Sequence, residues 1–359
     1  MLDRAIFMRD SAKMNSDPLS DVLNLANARC VLTGKLVAGN EWSRKFQRNE
    51  AVKFLAVVKG SCWILKESSG VEATVFQAGD VVITNGAPSI ILASRVDGFE
   101  GASDGPLKRD AEGNFRIGDG SDFVMIGGLV EVEEQRCGFL RASLPPMFHV
   151  NGQTTEAKKL RWLLTELAEE TLHQRAGSMI AITHLAELLF VEALRLHIEA
   201  AKSMATATGW LTALEDRRIS VALRKIHAEP AHAWNLEELA KLSGMSRTSF
   251  AVRFREIVGE PPLTYVLNWR MRLAERKLSE TDHSVADIAW SLGYGSESAF
   301  SNAFSRATGC SPGRFRKESM QSYSRRRHHG KRRVPELKEQ VETEDIQRKI
   351  NYYTLNKDI

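Results

Sequence analysis

A pair of related segments in the last third of the chain constrains its fold more than any other feature. The first reads ELAKLSGMSRTSFAVRFREIVGEPP and the second reads DIAWSLGYGSESAFSNAFSRATGCSP. Both contain a short apolar run, a Gly, a polar cluster, Phe-x-x-x-Phe and a closing Gly and Pro, in the same order. Repetition over this length is typical of one supersecondary unit that a chain uses twice. We therefore expect two copies of one small helical motif.

Each copy divides into two short helices joined by a tight turn. Asn235 and Ser246 are predicted N-caps in the first copy, since their side chains can accept hydrogen bonds from free backbone N–H groups. Ser284 and Ser296 occupy the same places in the second copy. Each predicted helix ends near a glycine, which favours a left-handed terminus: Gly244, Gly259, Gly293 and Gly309. Two short helices around a Gly-containing turn form the helix-turn-helix pattern.

The second helix of each copy carries the candidate DNA-binding residues. Helical periodicity predicts an inward face made of Phe250, Phe254 and Ile257 in one copy and Phe300, Phe304 and Ala307 in the other. The outward faces are small or polar, so each helix can enter a major groove and contact base edges or a thymine methyl group. A helical hairpin with a solvated face is the alternative for a single copy, and the matched pair favours DNA binding. The predicted DNA contacts are Arg247, Thr248, Ala251, Val252, Arg255, Ser296, Glu297, Ser298, Ser301 and Asn302.

These segments resemble the DNA-binding domain of AraC/XylS-type bacterial transcription regulators. The residues LEELAKLSGMSRTSFAVRFREIVGEPPLTYV and IAWSLGYGSESAFSNAFSRATGCSPGRFR carry the resemblance, which covers about residues 219–317. It implies an all-α domain whose two recognition helices are held by a central helix near residues 263–278. Neighbouring major grooves lie about 34 Å apart along one face of a duplex, which sets the separation required. For the basic residues of this central helix we expect a solvated face, with phosphate contact as the alternative: Arg270, Arg272, Arg276 and Lys277.

The charge distribution agrees with a nucleic-acid partner for the C-terminal part. Residues 218–320 contain 15 Lys and Arg against 11 Asp and Glu, whereas residues 1–150 contain 17 against 19. A positive excess on the half that carries the repeat suits phosphate binding. Because the excess is modest, we expect helix N-termini and backbone amides to supply part of the phosphate contact.

The first 150 residues form a different pattern, with short β-rich runs bounded by turn residues. FLAVVKGSCWIL and FQAGDVVITNGAPSIIL are two such runs, and several of them in series predict a small barrel or jelly roll. With LPPMFHV at residues 144–150 they resemble the cupin sensor domain of a subset of AraC-type regulators. The expected fold is therefore multidomain α+β, with a cupin-like barrel plus helices followed by an all-α domain with two helix-turn-helix units.

The resemblance to cupins stops at their metal ligands. The first strand offers Lys53 and no His, and the second block has Ser89 and Ile90 where a His would be expected. His149 is isolated, which is more typical of a packing or surface histidine. We therefore expect no metal, no cofactor and no enzymatic activity. A metal-free, degenerate cupin enzyme tethered to nucleic acid is the alternative function.

The barrel interior is the default place for a small-molecule effector. Trp42, Phe54 and Trp63 could line such a pocket, although ordinary core packing explains them as well. A barrel that serves only as a scaffold is the other possibility.

The cysteines give no sign of a zinc site or disulfide framework. They lack C-x-x-C spacing and a His at ligand spacing, so free thiols in a reducing cytoplasm are expected: Cys30, Cys62, Cys137 and Cys310. A redox switch through Cys30, Cys62 or Cys137 is an alternative way to sense a signal. The chain has no run of 18 apolar residues and no signal-like N-terminus, so no membrane span or secretion is expected.

Two further segments complete the predicted organisation. Residues 151–208 are expected to be helical and to pack on the barrel or on a second subunit, on the evidence of two leucine stripes: Leu160, Leu163, Leu164 and Leu167, then Leu185, Leu188, Leu189 and Leu196. Residues 319–359 carry a basic block followed by an acidic block and are expected to be a disordered tail.

The predicted domains are therefore a cupin-like sensor barrel at 17–150, a helical dimerisation or linker segment at 151–208, an AraC-type DNA-binding domain at 215–318, and the tail. The predicted function is a cytoplasmic, sequence-specific transcription regulator, more often an activator in the family, controlled by a signal at the barrel. Its expected partners are double-stranded DNA, a small-molecule effector, a second copy of the chain and, as the family implies, RNA polymerase.

Overall fold

A computed structural model describes residues 17–49, 51–66, 73–132, 140–173, 175–201 and 209–329, with side chains up to residue 321. The Cα positions divide the chain into two units. The first unit contains Met1–Glu229 and Trp234–Val266, and the second contains Pro230–Ala233 and Leu267–Ile359. Each unit holds one of the two helix-turn-helix motifs, and each is described by itself below.

The N-terminal part of the first unit consists of β-strands in two sheets. The strands are β1 Arg29–Ala38, β2 Ser43–Phe46, β3 Val52–Lys59, β4 Ser61–Lys66, β5 Thr74–Gln77, β6 Val81–Thr84, β7 Ile90–Ala93, β8 Lys108–Arg109, β9 Phe115–Ile117, β10 Phe123–Glu131 and β11 Met147–Val150. One sheet has the strand order β11-β6-β3-β10-β1-β9-β8 and the other has the order β2-β7-β4-β5. Most neighbouring pairs are antiparallel, and β1 with β9 is a parallel pair.

The side chains between the two sheets form one apolar core. It contains Trp42, Leu55, Phe76, Leu92 and Phe123, which are nearly or fully buried. Trp42 and Phe123 pack with ring centroids 5.1 Å apart. Leu55 and Phe123 come from one sheet and Phe76 and Leu92 from the other, so the core holds the cupin-like barrel together, and the predicted barrel fold is confirmed.

The barrel strands approach closely where β3 pairs with β10. Phe54 of β3 lies opposite Gly128 of β10 in the antiparallel register. A Cβ atom on Gly128 would lie 2.2 Å from the Phe54 ring. The glycine therefore lets a fully buried aromatic side chain lie across the neighbouring strand.

The helices described beside the barrel include α1 Pro18–Leu25, α2 Lys158–His173 and α3 Ser178–Ala201. Asp17 caps α1 by accepting a hydrogen bond from the N–H of Leu19 at 3.1 Å. Helix α3 packs against α2, β1 and β11. The first predicted leucine stripe is fully buried by this packing, whereas Leu188 of the second is exposed.

The first unit also contains the first helix-turn-helix motif and the beginning of the central helix. Its helices are α4 Trp210–Ala213, α5 Ile219–Ala228, α6 Leu236–Leu242 and α7 Arg247–Val258, followed by α8 Pro262–Glu280. Residues of α8 up to Val266 belong to the first unit and the remainder belongs to the second. Helix α7 packs against α4, α5 and α6, which form its support.

The second unit contains α9 Val285–Ser291, α10 Glu297–Thr308 and α11 Pro312–His329. Its core joins residues of α8, α9, α10 and α11, among them Met271, Leu278, Ile288, Phe300 and Phe304. Helix α11 continues to His329, past the predicted start of the tail at residue 319. The remainder of the predicted tail, residues 330–359, lies outside the described residues.

Candidate nucleic-acid interface

The first candidate recognition helix, α7, begins and ends at the predicted residues. The Ser246 hydroxyl accepts a hydrogen bond from the N–H of Ser249 at 3.2 Å. Gly259 ends the helix with a φ of 95°, a left-handed conformation that favours glycine. Phe250 and Phe254 are fully buried, with ring centroids 5.5 Å apart. The caps and the buried rings fix the rotation of α7 and determine which face it presents outward.

The outward face of α7 is small, apolar and basic. Ala251 is half-buried, and Val252 is 52% exposed. A guanidinium nitrogen of Arg247 lies 3.8 Å from the carboxylate of Glu237 on α6. An exposed ion pair of this kind is weak, so it does not prevent Arg247 from binding another anion. The predicted contact residues that are exposed on α7 are Arg247, Thr248, Val252 and Arg255.

One acidic side chain, Asp216, links α7 to the start of α5. Asp216 accepts hydrogen bonds from the N–H groups of Arg218 and Ile219 at 3.0 and 2.9 Å, which caps α5. Its other carboxylate oxygen accepts from Nε of Arg253 on α7 at 3.0 Å. Burial alone would raise the pKa of Asp216, but these hydrogen bonds lower it below its usual value. Arg253 therefore fixes α7 to the start of α5.

The second candidate recognition helix, α10, repeats this construction. The Ser296 hydroxyl accepts from the N–H of Ala299 at 3.2 Å, and Gly309 ends the helix with a φ of 80°. Phe300 and Phe304 are fully buried. Ser301 is half-buried, and the predicted contact residues that are exposed on α10 are Ser296, Glu297, Ser298 and Asn302.

The inward face of α10 differs from the prediction at one position. Ala303 is buried in the core, whereas Ala307, predicted to point inward, is exposed. Phe315 of α11 packs on Phe304 at a centroid distance of 5.4 Å and shifts the buried stripe toward Ala303. The inward prediction for Ala307 was therefore wrong, because a helix beyond the repeat determines where this face is covered.

Arg306 is a candidate contact residue that the sequence reasoning missed. It is exposed and lies one helical turn after Asn302, whose carbonyl oxygen accepts a hydrogen bond from Arg306 Nε at 3.3 Å. Residues at i and i+4 share a helix face, so this spacing was a usable signal. Arg306 adds a positive charge to the outward face of α10.

The basic residues of the central helix are engaged within the second unit. Arg270 donates from Nε to the carbonyl oxygen of Pro230 at 2.6 Å and from Nη2 to that of His232 at 2.7 Å. Its guanidinium also lies 5.7 Å from the ring centroid of Tyr294. Burial lowers the pKa of Arg270 from its usual value. The expectation of a solvated face was therefore wrong for Arg270, which holds residues 230–233 in place.

Lys277 also forms a hydrogen bond within the second unit. Its Nζ donates to the hydroxyl oxygen of Ser291 at 2.8 Å, which fixes the end of α9 to α8. Burial lowers the pKa of Lys277, and the neighbouring Arg276 adds to this effect. Arg276 itself lies 4.0 Å from the carboxylate of Glu280, one turn further along α8. These contacts hold the second helix-turn-helix motif against its own central helix.

The barrel residues proposed as pocket-lining are mainly core residues. Trp42 and Phe54 are buried, and Trp63 is half-buried. His149 approaches the buried carboxylate of Asp80 through Nε2 at 2.9 Å and meets the edge of Phe76. The other Asp80 oxygen accepts from the N–H of Gly152 at 2.7 Å. His149 therefore belongs to a structural cluster with Asp80 and Phe76.

The described cysteines are buried or half-buried thiols. Burial raises the pKa of Cys30 to about 12, and it raises the pKa of Cys62 as well. A thiol held in its protonated form is a poor nucleophile and reacts slowly with oxidants. This environment does not favour a redox switch at Cys30 or Cys62, and Cys137 lies outside the described residues.

The described residues contain neither a metal-binding cluster nor a membrane-spanning helix. No cluster of three or more His, Cys, Asp or Glu side chains suited to a metal ion occurs in the described ranges. Within the same ranges, no helix has the length and apolar character needed to cross a bilayer.

Two family models match the chain. A cupin model matches residues 17–199, and a helix-turn-helix domain model matches residues 239–318. The first spans the barrel with α1, α2 and most of α3. The second spans α7 to α10, and it therefore includes both candidate recognition helices, α7 and α10.

Relatives of known name are similar over much of the chain. A putative AraC-like transcription regulator from Streptomyces antibioticus is 38% identical over 304 residues, which is 85% of this chain and 99% of the relative. The RCS-specific HTH-type transcriptional activator RclR from Escherichia coli (strain K12) is 30% identical over 205 residues, which is 56% of this chain and 71% of the relative.

Among solved structures, the DNA-binding domain of AdpA in complex with a target DNA is similar in sequence. It is 31% identical and covers 29% of this chain and 93% of that chain, with a TM-score of 0.27.

Proposed function

The chain belongs to the AraC-like family of transcription regulators, and from this premise we propose that α7 and α10 are the helices with which it reads DNA sequence. The chain is a sequence-specific DNA-binding regulator with a cupin-like sensing domain. The observation that carries the proposal is the paired construction of α7 and α10. Each is capped by a serine, anchored by two buried phenylalanines and exposed on the opposite face.

The outward side chains suit different kinds of DNA contact. Asn302 can form two hydrogen bonds with an adenine edge, and Val252 can pack on a thymine methyl group. Arg255 and Arg306 are long and exposed, which suits phosphate contact or a guanine edge. The N-termini of α7 and α10, with their serine caps, can add backbone N–H groups to phosphates. We assign base reading to the middle of each helix and phosphate binding to its ends.

We propose that the two helices enter successive major grooves of one duplex, about 34 Å apart. The motifs are different in outward chemistry, with apolar and basic groups on α7 and polar groups on α10. A single chain would therefore recognise an asymmetric segment. The domain limits that we propose are 17–150 for the barrel, 151–208 for the helical segment and 215–318 for the DNA-binding domain. The cupin model begins at residue 17 and the helix-turn-helix model ends at residue 318, which supports the first and the last of these limits.

We propose that the regulator is a homodimer in which α2 and α3 form the contact. Five large apolar side chains on these helices are between 53% and 76% exposed: Trp162, Leu172, Met179, Ile180 and Leu188. Exposed apolar side chains in this number on neighbouring helices are typical of an interaction surface. A second copy of the same chain is the occupant that the proposal assigns to this surface.

The sign of regulation that we propose is activation, through contact with RNA polymerase at a promoter. The name of the relative RclR describes that protein as an activator, which supports this sign. The chain would then act in the cytoplasm, where a bacterial chromosome lies. Membership of a family of transcription regulators favours this function over that of a degenerate enzyme.

Selection of binding sites from a random duplex library tests the assignment of base reading. We expect Asn302→Ala to weaken binding to the preferred site by about 1–3 kcal/mol and to relax the base preference at one position. Arg306→Gln should weaken binding to all sequences similarly if it contacts a phosphate. Arg95→Gln removes the same charge from an exposed side chain of the sensor domain and serves as the control. An unchanged base preference in Asn302→Ala would remove this residue from the interface.

A further inference from the structure

Apolar side chains from both sheets pack together inside the barrel, where Phe76 and Leu92 are fully buried. A small cavity lies beside Lys53 and Thr84, with a volume of about 20 Å³. A space of this size holds about one water molecule.

A much larger cleft lies in the first unit, outside the barrel. Its volume is about 490 Å³, which lies within the usual range for small-molecule sites. One wall consists of the start of α1 and the end of α3, from the sensor domain. The other consists of Leu214, which follows α4, and of the first turns of α5, from the helices that support α7. The cleft therefore joins the sensor domain to the first helix-turn-helix motif.

The walls of this cleft carry charges of both signs around an apolar strip. Ile198 and Leu214 are apolar. The guanidinium and carboxylate groups come from four exposed residues: Arg195, Glu199, Glu215 and Arg224. Asp17, at the same cleft, uses its carboxylate to cap α1. A ligand with one ammonium and one carboxylate group can therefore be recognised at Glu199 and Arg224.

We propose that this cleft is the effector site and that it takes a small zwitterionic molecule, such as an amino acid or a short peptide. Glu199 binds the ammonium group, Arg224 binds the carboxylate, and the apolar strip contacts the side chain of the ligand. This inference rests on the proposed function as a signal-controlled regulator, and it places the signal outside the barrel.

A buried chain of hydrogen bonds beside the cleft connects its two walls. Trp210 Nε1 donates to the hydroxyl oxygen of Tyr265 at 2.9 Å. The Tyr265 hydroxyl lies 2.7 Å from Nε2 of His227, and Nδ1 of His227 lies 3.1 Å from a carboxylate oxygen of Asp21. Because Trp only donates and a carboxylate only accepts, the hydroxyl of Tyr265 donates to His227, and His227 donates to Asp21. We call these four residues the α1–α5 joint.

The joint gives the ligand a physical route to the DNA-binding helices. Asp21 lies one helical turn after Asp17 on α1, and His227 lies nearly one turn after Arg224 on α5. A ligand that bridges Glu199 and Arg224 contacts both walls, so its affinity depends on the spacing between the walls. The ligand therefore shifts the conformational equilibrium toward the wall spacing that it binds best, and this changes how α7 is positioned. Couplings of this kind change affinity by about 5–150-fold.

Binding of the twenty common amino acids and of dialanine to the full chain tests the proposal. Each compound is added at millimolar concentration, and thermal unfolding followed by titration calorimetry measures binding. We expect at least one compound to stabilise the chain. Arg224→Gln and Glu199→Gln should each weaken its binding about tenfold or more, since each removes a charge-assisted hydrogen bond. Lys225→Gln removes the same charge from the adjacent residue of α5, which does not line the cleft, and should bind as the parent does.

Two outcomes would overturn this assignment. No stabilisation by any of these compounds excludes a zwitterion of this class, and binding that is lost in Lys53→Gln but kept in Arg224→Gln places the ligand at the barrel. Duplex binding measured without any added compound tests the proposed function separately. If the chain selects a DNA sequence but binds no zwitterion, the proposal that the cleft is the effector site is wrong, while the proposed function is unaffected.

Discussion

Gly293 is a residue at which the second helix-turn-helix motif tolerates no side chain. Its φ is 81°, in the left-handed region, and an added Cβ would lie 2.1 Å from the carbonyl oxygen of Ala231. That carbonyl belongs to the segment 230–233, whose neighbouring carbonyl groups accept hydrogen bonds from Arg270. The glycine of the repeat therefore ends α9 and also lets the preceding loop pack on the turn. The sequence predicted that Gly293 ends a helix. The close approach of Ala231 was not predictable from a local pattern, because the two residues are more than sixty positions apart in the chain.

Gly293→Ala should destabilise the second unit markedly. Backbone strain at a left-handed position costs about 1–3 kcal/mol, and the contact with Ala231 adds to that cost. Denaturant unfolding of the full chain measures the change. Gly295→Ala is the matched control, since no atom lies within 4 Å of its added Cβ. Equal stability of the two variants would show that the loop moves aside without cost.

His227 makes the stability of the first unit dependent on pH. Burial lowers the pKa of His227, and the nearby carboxylates of Asp21 and Asp17 oppose this effect only in part. The unfolded imidazole binds a proton near pH 6.5 and the folded one does so only at lower pH. The stabilisation is therefore complete above about pH 6.5 and is lost as the pH falls below that value. The slope for one proton is at most about 1.4 kcal/mol per pH unit.

Denaturant unfolding at pH 7.5, 6.5 and 5.5 tests this dependence. We expect the free energy of unfolding of the parent to fall between pH 6.5 and pH 5.5. It should fall less in His227→Gln, because Gln does not bind a proton in this range. His197, whose pKa burial also lowers, keeps part of the slope in both proteins. His184→Gln, at an exposed position on α3, should retain the parent slope. Identical slopes in all three proteins would contradict the assignment to His227.

At the scale of elements, the repeat predicted the helices of both motifs from their caps and buried rings. Asn235, Ser246, Ser284 and Ser296 all accept the expected capping hydrogen bonds. Short-range signals of this kind act within one turn, so they are readable from sequence. Positions fixed by another element were less predictable. Ala307 was assigned to the wrong face because α11 determines where α10 is covered.

Phe304→Ala should unfold the second motif while leaving a Trp290→Ala control intact. The Phe304 ring is fully buried between Phe300 and Phe315, at centroid distances of 5.7 and 5.4 Å. Truncating such a side chain costs about 3–5 kcal/mol, through lost burial and a cavity. Trp290 is 69% exposed in the same unit, so its loss should change stability by less than about 0.5 kcal/mol. Duplex binding and thermal unfolding of the full chain measure both, and a parent-like melt of Phe304→Ala would contradict the packing argument.

At the scale of the whole molecule, fold class and function followed from the sequence, but the location of the proposed ligand site did not. The β-rich runs predicted the barrel, and the repeat predicted the DNA-binding domain. The charges of Glu199 and Arg224 lie 25 residues apart, on helices of different domains. No local pattern links such residues, because their proximity depends on how α1, α3 and α5 pack. The same limit applies to His227, whose partners Asp21 and Tyr265 are distant in the chain.

The proposed homodimer can be tested at the exposed apolar side chains of α2 and α3. Leu188 is 53% exposed on α3, although it belongs to the leucine stripe that was expected to pack either within the chain or against another subunit. Replacing it by Glu places a charge in the proposed contact, and desolvating an unpaired charge opposes association. Light scattering after size-exclusion chromatography should give a dimer mass for the parent and a monomer mass for Leu188→Glu. Val96→Glu, at a 54% exposed apolar position of the sensor domain outside α2 and α3, should remain dimeric. A monomeric parent, or a dimeric Leu188→Glu variant, would show that the exposed side chains of α2 and α3 face a different partner.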